Sequence, residues 1–311
     1  MEQHSSSFTR SQELFAAGIV FIGAISFSTK AVIVKLAYRY GIDSLSLLTL
    51  RMLFSLPFFL VIGYLYQRWR KPNQNTSVKI SRKDWKSIIG LGLAGYYLAS
   101  YFDFEGLQYI TASLERLILF VYPTLVVLIS ALFFRKKITR PQLFALVLTY
   151  IGIGCAFIDK TAAGQSENLT LGAIFVFGSA LSYAIYLVGS GQLIPRLGSI
   201  RYTSYVMTVA CLAVISHNAV LYQLQVFTFP WEVYALALLM AVIATVLPSF
   251  LVSEGIRVIG SSNASIIGSV GPISTIILAY IFLDEQLGWL QIAGTVLVIG
   301  GVLIIALQKK E

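Results

Sequence analysis

Ten apolar stretches of roughly membrane length run along the chain, at about 14–36, 43–66, 86–104, 110–133, 141–158, 170–190, 202–222, 231–252, 263–283 and 288–307. A membrane-spanning helix needs about 20 mostly apolar residues. The polar segments between the stretches are loop-sized. The longest, Gln67–Lys86, is too short for a soluble domain, and the shortest, Leu283–Gly288, suits a tight helical hairpin. Trp69, Trp85, Trp231 and Trp289 all fall at expected helix ends, where an indole sits among lipid headgroups. The pattern predicts an all-α polytopic membrane protein of ten transmembrane helices.

The second half of the pattern repeats the first. Glu105-Gly106 recurs as Glu254-Gly255, Ile110 as Ile259, Ser113 as Ser262, Pro123 as Pro272, Gln142 as Gln291 and Gly152 as Gly301, all at an offset of 149. The first helix of each half matches less closely, with Gly23 opposite Gly178 at an offset of 155. The difference implies that the first-half loop near 67–85 is longer by about six residues. The expected units are residues 1–160 and 161–311, with five helices each. An odd number of crossings sends the second unit into the membrane in the opposite sense. The result is two inverted five-helix repeats, a build that supports alternating access about a pseudo-two-fold axis.

Composition agrees. Apolar residues are 57% of the chain and charged residues 12%, against roughly 25% charged in soluble domains. The net charge of +9 would draw nucleic acid, but its distribution fits a membrane instead. If the N-terminus lies inside, the inner segments hold seventeen Lys and Arg and the outer ones only Lys35, Arg39 and Lys160. Basic residues accumulate in cytoplasmic loops, so both termini are expected in the cytoplasm of a multi-pass protein of the cell (inner or plasma) membrane. The first apolar run is of full membrane length and is expected to remain as a helix rather than act as a cleaved signal. Cys155 and Cys211 sit in apolar segments and read as small hydrophobes.

Candidate chemistry lies in the charges inside the spans, which are costly there and line pathways or pair with each other. Lys30, Arg51, Glu115 and Arg116 stand out. From their distances to the expected helix ends, all lie about 8–11 Å below the outer surface. One reading makes them the polar wall of a substrate cavity, whose net positive charge favours a carboxylate or other anion. The other has Lys30 and Arg116 reaching outward and Arg51 paired with Glu115 to lock the bundle. Adjacent helical residues diverge by about 100°, so Glu115 and Arg116 do not both face one small site. The second half lacks the cluster: Glu115 and Arg116 map to Ala264 and Ser265, and Lys30 and Arg51 map near Ile185 and Val206. Asp103 and Glu105 read first as a solvated helix end and second as vestibule lining or a proton site. The pairing of Glu105 with Glu254 is read as shared fold geometry. Tyr96, Tyr97, Tyr101, Tyr183 and Tyr186 are candidate cavity aromatics. Pro57, Pro123, Pro248 and Pro272 interrupt helices, with Pro123 and Pro272 as equivalent bends. Asn263, Ser265 and Ser269 are cavity groups or packing contacts. Gly90–Gly95 satisfies G-x-G-x-x-G inside a span, where helix packing explains it better than a dinucleotide. The chain has no P-loop, and His4 and His217 are its only histidines. No metal, cofactor or catalytic constellation is expected.

Each half carries a Gly-x-x-x-Ile-x-x-Ser run before a helix with a central proline, Gly106 to Pro123 and Gly255 to Pro272. With Phe282-Leu283-Asp284-Glu285 and Gln291 in the second half, these features together resemble the EamA family of the drug/metabolite transporter superfamily. The first half departs from it in Arg135-Lys136-Lys137 and in Leu114-Glu115-Arg116. The resemblance implies a ten-helix exporter or importer of small metabolites, with export the expected direction. The primary expectation is therefore a secondary transporter of a small polar metabolite, such as an amino acid or organic anion. It would work by alternating access in a lipid bilayer, as a monomer or homodimer, without nucleic acid. A phosphorylated metabolite or nucleotide-sugar, clamped by Lys30, Arg51 and Arg116, is the alternative. From another class come a membrane scaffold and an intramembrane enzyme; the missing catalytic constellation disfavours the enzyme, and the repeat disfavours the scaffold.

Overall fold

A computed structural model of the chain describes residues 9–69, 80–134, 139–158, 168–268, 270–286 and 288–307. All its regular elements are helical. Helix α1 (Arg10–Tyr38) starts at a capping box in which Thr9 and Gln12 satisfy each other's backbone N–H groups. Helix α2 (Ser44–Trp69) follows. Helix α3 (Arg82–Gly92), capped by Ser81 and Asp84, passes through a π-helical turn at Leu93–Leu98 into α4 (Ala99–Tyr109). Then come α5 (Ala112–Leu119), α6 (Tyr122–Phe134) and α7 (Arg140–Ile158). The later residues form α8 (Leu169–Leu197), α9 (Ser199–Tyr222) and α10 (Trp231–Ala241). A second π turn, Val242–Val246, leads into α11 (Leu247–Gly268), followed by α12 (Val270–Leu283) and α13 (Trp289–Leu307).

Six helical stretches among the described residues are long and apolar enough to cross a membrane. Their exposed faces carry Phe15, Phe21, Leu60, Leu132, Ile174 and Leu238, while Ser, Thr, Asp, Glu and Arg side chains lie buried between helices. This arrangement, apolar outside and polar inside, is the one a lipid environment favours. All four tryptophans are exposed, three of them at a helix terminus.

Helices from the two halves of the chain pack in pairs: α1 with α11 and α12, α2 with α9, α4 with α8, and α7 with α13. Glycines allow the close approach. A Cβ on Gly106 would strike Val176 of α8, and one on Gly255 would strike Val20 of α1. The two glycines are repeat partners.

Irregularities recur at the same offset. The π turns begin at Leu93 and Val242, 149 residues apart. The backbone leaves the helix at Ile110–Thr111 and again at Gly260, whose φ of 79° suits a residue without a side chain. A second break precedes the central proline of the first half, where Phe120 and Val121 separate α5 from α6. Pro123 therefore occupies the first turn of a new helix, where a missing N–H costs nothing, rather than kinking a continuous one. Ser44 at the start of α2 donates to Glu105, and Ser199 at the start of α9 donates to Glu254 at 2.5 Å. Shared fold geometry is thus the role the structure gives this glutamate pair. Glu285, beyond α12, caps α5 through the N–H groups of Ala112 (2.7 Å) and Ser113 (3.1 Å) and the Ser113 hydroxyl (2.6 Å).

Two boundaries differ from the sequence expectation. The third apolar stretch was expected to end at 104 but continues to Tyr109. The sixth runs on to Leu197 with Pro195 inside it, held at its end by an Arg196–Asp84 ion pair.

Candidate functional site

The π turn at Leu93–Leu98 widens the helix and turns Gly95 and Tyr96 toward the second half. Gly95 is required there, because a Cβ would overlap the ring of Tyr186. Beside it lies a cavity of about 120 Å³, walled by residues from both halves, among them Phe27, Lys30, Arg51, Tyr96, Ser100, Arg116, Tyr122, Ser179, Tyr183 and Val252. Single-turn π bulges often mark functional sites; the first lines this cavity through Gly95 and Tyr96, and the second reaches it through Thr245, which holds Arg51.

Arg51, on α2, is 1% exposed. Its Nε donates to Thr245 Oγ1 at 2.7 Å, and its guanidinium stands 5.3 Å from the centre of the Phe104 ring. Thr245 lies in the second π turn and donates in turn to the Met240 carbonyl. The Arg51 Nη1 has no hydrogen-bond partner. No carboxylate among the described residues comes within ion-pair distance of it. Arg116, on α5, is 9% exposed and donates from Nη2 to Ser28 Oγ at 3.1 Å, while its Nε lacks a partner. Two guanidinium groups thus line one cavity, from α2 and α5, each with a buried N–H that lacks an acceptor. A buried charged donor without an acceptor is costly, and an anion in the cavity would remove that cost.

Lys30 lines the same cavity but is already engaged. Its Nζ is 2.6 Å from Asp103 Oδ2 and 3.7 Å from Glu115 Oε1. Asp103 is 1% exposed and Glu115 fully buried. This corrects two expectations. Asp103 is not a solvated helix end, because α4 continues six residues beyond it. Glu115 does not pair with Arg51: α5 presents Glu115 to α1 and α4, while Arg116, the next residue, faces the cavity. Tyr97 and Tyr101 are not among the cavity-lining residues. The Tyr97 hydroxyl bonds His217 Nδ1 at 3.1 Å, and both tyrosine rings meet the imidazole edge-on. Tyr96, Tyr183 and Tyr186 form a ring cluster at the cavity wall, with the Tyr96 hydroxyl 3.5 Å from Ser249 Oγ. The side chains of Asn263, Ser265 and Ser269 lie outside the described residues.

Thr245 is the site residue that sequence reasoning missed. It is the only polar side chain between Tyr234 and Ser249, and that isolation was the available signal. Gly92 of the G-x-G-x-x-G match packs against Val206 and Val209 of α9, as close helix packing requires. Among the described residues, no group of three or more His, Cys, Asp or Glu could hold a metal ion.

The EamA-like transporter family model matches the chain twice, over residues 14–158 and 170–307. The chain is 34% identical over 285 residues to the uncharacterized transporter YcbK of Bacillus subtilis, covering 90% of this chain and 89% of that one. It is 26% identical to the uncharacterized transporter sll1319 of Synechocystis, over 94% and 93% of the two chains. A solved crystal structure superposes with a TM-score of 0.65 at 16% identity, covering 95% of this chain and 96% of that one. That likeness speaks for the fold. The chain belongs to the EamA-like transporter family.

Proposed function

We propose that this protein is a secondary transporter of a small carboxylate-bearing metabolite, an amino acid or organic anion, working by alternating access. The observation that carries the reading is a pair of buried guanidinium groups, Arg51 and Arg116, that line one cavity, each with an N–H that lacks an acceptor. A fork of N–H groups suits a carboxylate better than a single ammonium does. The cavity, at about 120 Å³, is small beside the roughly 300–1,000 Å³ of drug-sized ligand sites, which disfavours a nucleotide-sugar. Membership of a transporter family sets the enzyme reading aside.

Inverted repeats give the moving parts. The paired π turns, paired breaks and paired serine–glutamate bonds support two related five-helix units packed against each other. Rocking of one unit against the other would open the cavity to each side in turn. The charge bias supports both termini in the cytoplasm.

Reconstituted protein should accumulate at least one radiolabelled amino acid or organic acid in proteoliposomes, and Arg51→Ala should abolish that uptake while inserting normally. A panel without any carboxylate uptake, or wild-type uptake by Arg51→Ala, would reject the assignment.

A further inference from the structure

Two carboxyl groups share one ammonium in the interior of the bundle. Lys30 Nζ lies 2.6 Å from Asp103 Oδ2 and 3.7 Å from Glu115 Oε1, so two buried carboxyl groups meet at one ammonium. Apart from Lys30, no N–H or O–H donor among the described residues reaches either of them. One ammonium balances only one carboxylate, so the second stays buried without a cation unless it carries a proton. A like-charged pair in a desolvated site holds one proton for the same reason.

The surroundings do not remove this need. Arg116 shares α5 with Glu115 but turns toward the cavity and Ser28. Arg51 is the nearest cation on α2, and it is held by Thr245. Glu285 sits one turn away at the start of α5 and adds negative charge. Tyr38 on α1, Tyr150 on α7 and Tyr183 on α8 are phenols and bring neither a carboxylate nor a cation. The described residues of α13 include no acid or base.

We propose that Glu115, seated against Asp103 and Lys30, is a proton-binding site coupled to the anion in the cavity. The coupling follows from the place of Lys30, which touches both carboxyl groups and also lines the cavity. An anion that draws the ammonium toward itself leaves the carboxyl pair without its cation. The pair then holds its proton, as a carboxylic acid on one of the two groups, more tightly, so anion and proton bind together. By linkage, each strengthens the other's binding equally. An inward proton gradient would drive uptake of the anion, the opposite of the export direction expected from the resemblance. The coupling rests on the carboxylate assignment above; the proton site does not.

The test uses the full chain in liposomes and follows the infrared absorption of neutral carboxyl groups between about pH 5 and 8. The wild type should show a neutral-carboxyl band near neutral pH. Glu115→Gln should lack it, and Asp103→Asn should shift it to lower pH, because Lys30 then serves one carboxylate alone. Glutamine mimics the protonated acid, so Glu115→Gln should unfold at the wild-type temperature. Absence of the band in the wild type, its persistence in Glu115→Gln, or failure of Glu115→Gln to fold would overturn the proton site. For a carboxylate probe that is transported, such as alanine or succinate, apparent affinity should weaken about tenfold per pH unit above the titration. In Glu115→Gln it should be flat, and a flat wild-type profile would overturn the coupling. An intact band without flux of any carboxylate would reject the carboxylate assignment, and the coupling with it, while leaving the proton site standing.

Discussion

In the first half of the chain Glu105 receives a hydroxyl from Ser44, and in the second Glu254 receives one from Ser199. The same parallel holds for the π turns, the helix breaks and the glycines beneath the crossings. It fails at the charges. Lys30, Arg51, Asp103, Glu115 and Arg116 all lie in the first half. Their second-half counterparts are apolar or uncharged, with Ile185, Val206, Val252, Ala264 and Ser265 in the matching places. The second half contributes hydroxyls instead: Thr245 to Arg51 and Ser249 to Tyr96. Recurring backbone geometry can stand while one half alone supplies the charge, because backbone geometry constrains few side chains.

Breaking the charge cluster should have the largest effect. Lys30→Met leaves Asp103 and Glu115 buried without their cation, a loss expected to cost about 3–5 kcal/mol. The counterpart Ile185→Met, on an exposed face, should stay within about 0.5 kcal/mol. Thermal unfolding of both variants in detergent makes the comparison. Equal stabilities would mean that the cluster is not desolvated. Framework changes should instead act alike in the two halves. Gly106→Val and Gly255→Val each push a side chain into a packed helix, at α8 and α1 respectively, and should each cost about 1–3 kcal/mol. A large effect of one and none of the other would argue against equivalent roles. Smaller still, Ser44→Ala and Ser199→Ala each remove one hydroxyl from a partly buried carboxylate. The loss should be about 1 kcal/mol in either half.

The apolar helices and the offset of 149 residues were legible in the chain because both are written in hydropathy and spacing. The buried charges were legible too, since an ionic residue in an apolar run is conspicuous. Their partners were not. Whether Glu115 meets Arg51 or Lys30 depends on which way α5 is rotated against α1 and α2, and a 100° step between neighbours is invisible without the neighbouring helices. Asp103 was misplaced for a simpler reason. Its helix continues through the polar residues Glu105 and Gln108 to Tyr109, and hydropathy places the boundary too early. The π turns left no trace, because a backbone bond shifted by one residue needs no change in composition. Tyr97 and Tyr101 looked like cavity groups by type, yet they face His217 on α9.

The central claim is that Arg51 and Arg116 bind a carboxylate in the shared cavity. Equilibrium titration of the transported acid and of its amide, on the wild type and on Arg51→Gln, tests it most directly. The wild type should bind the acid at least about tenfold more tightly than the amide, the loss of one charge-assisted bond, and Arg51→Gln should abolish that preference. Equal affinity for the acid and its amide, or an unchanged preference in Arg51→Gln, would contradict the account.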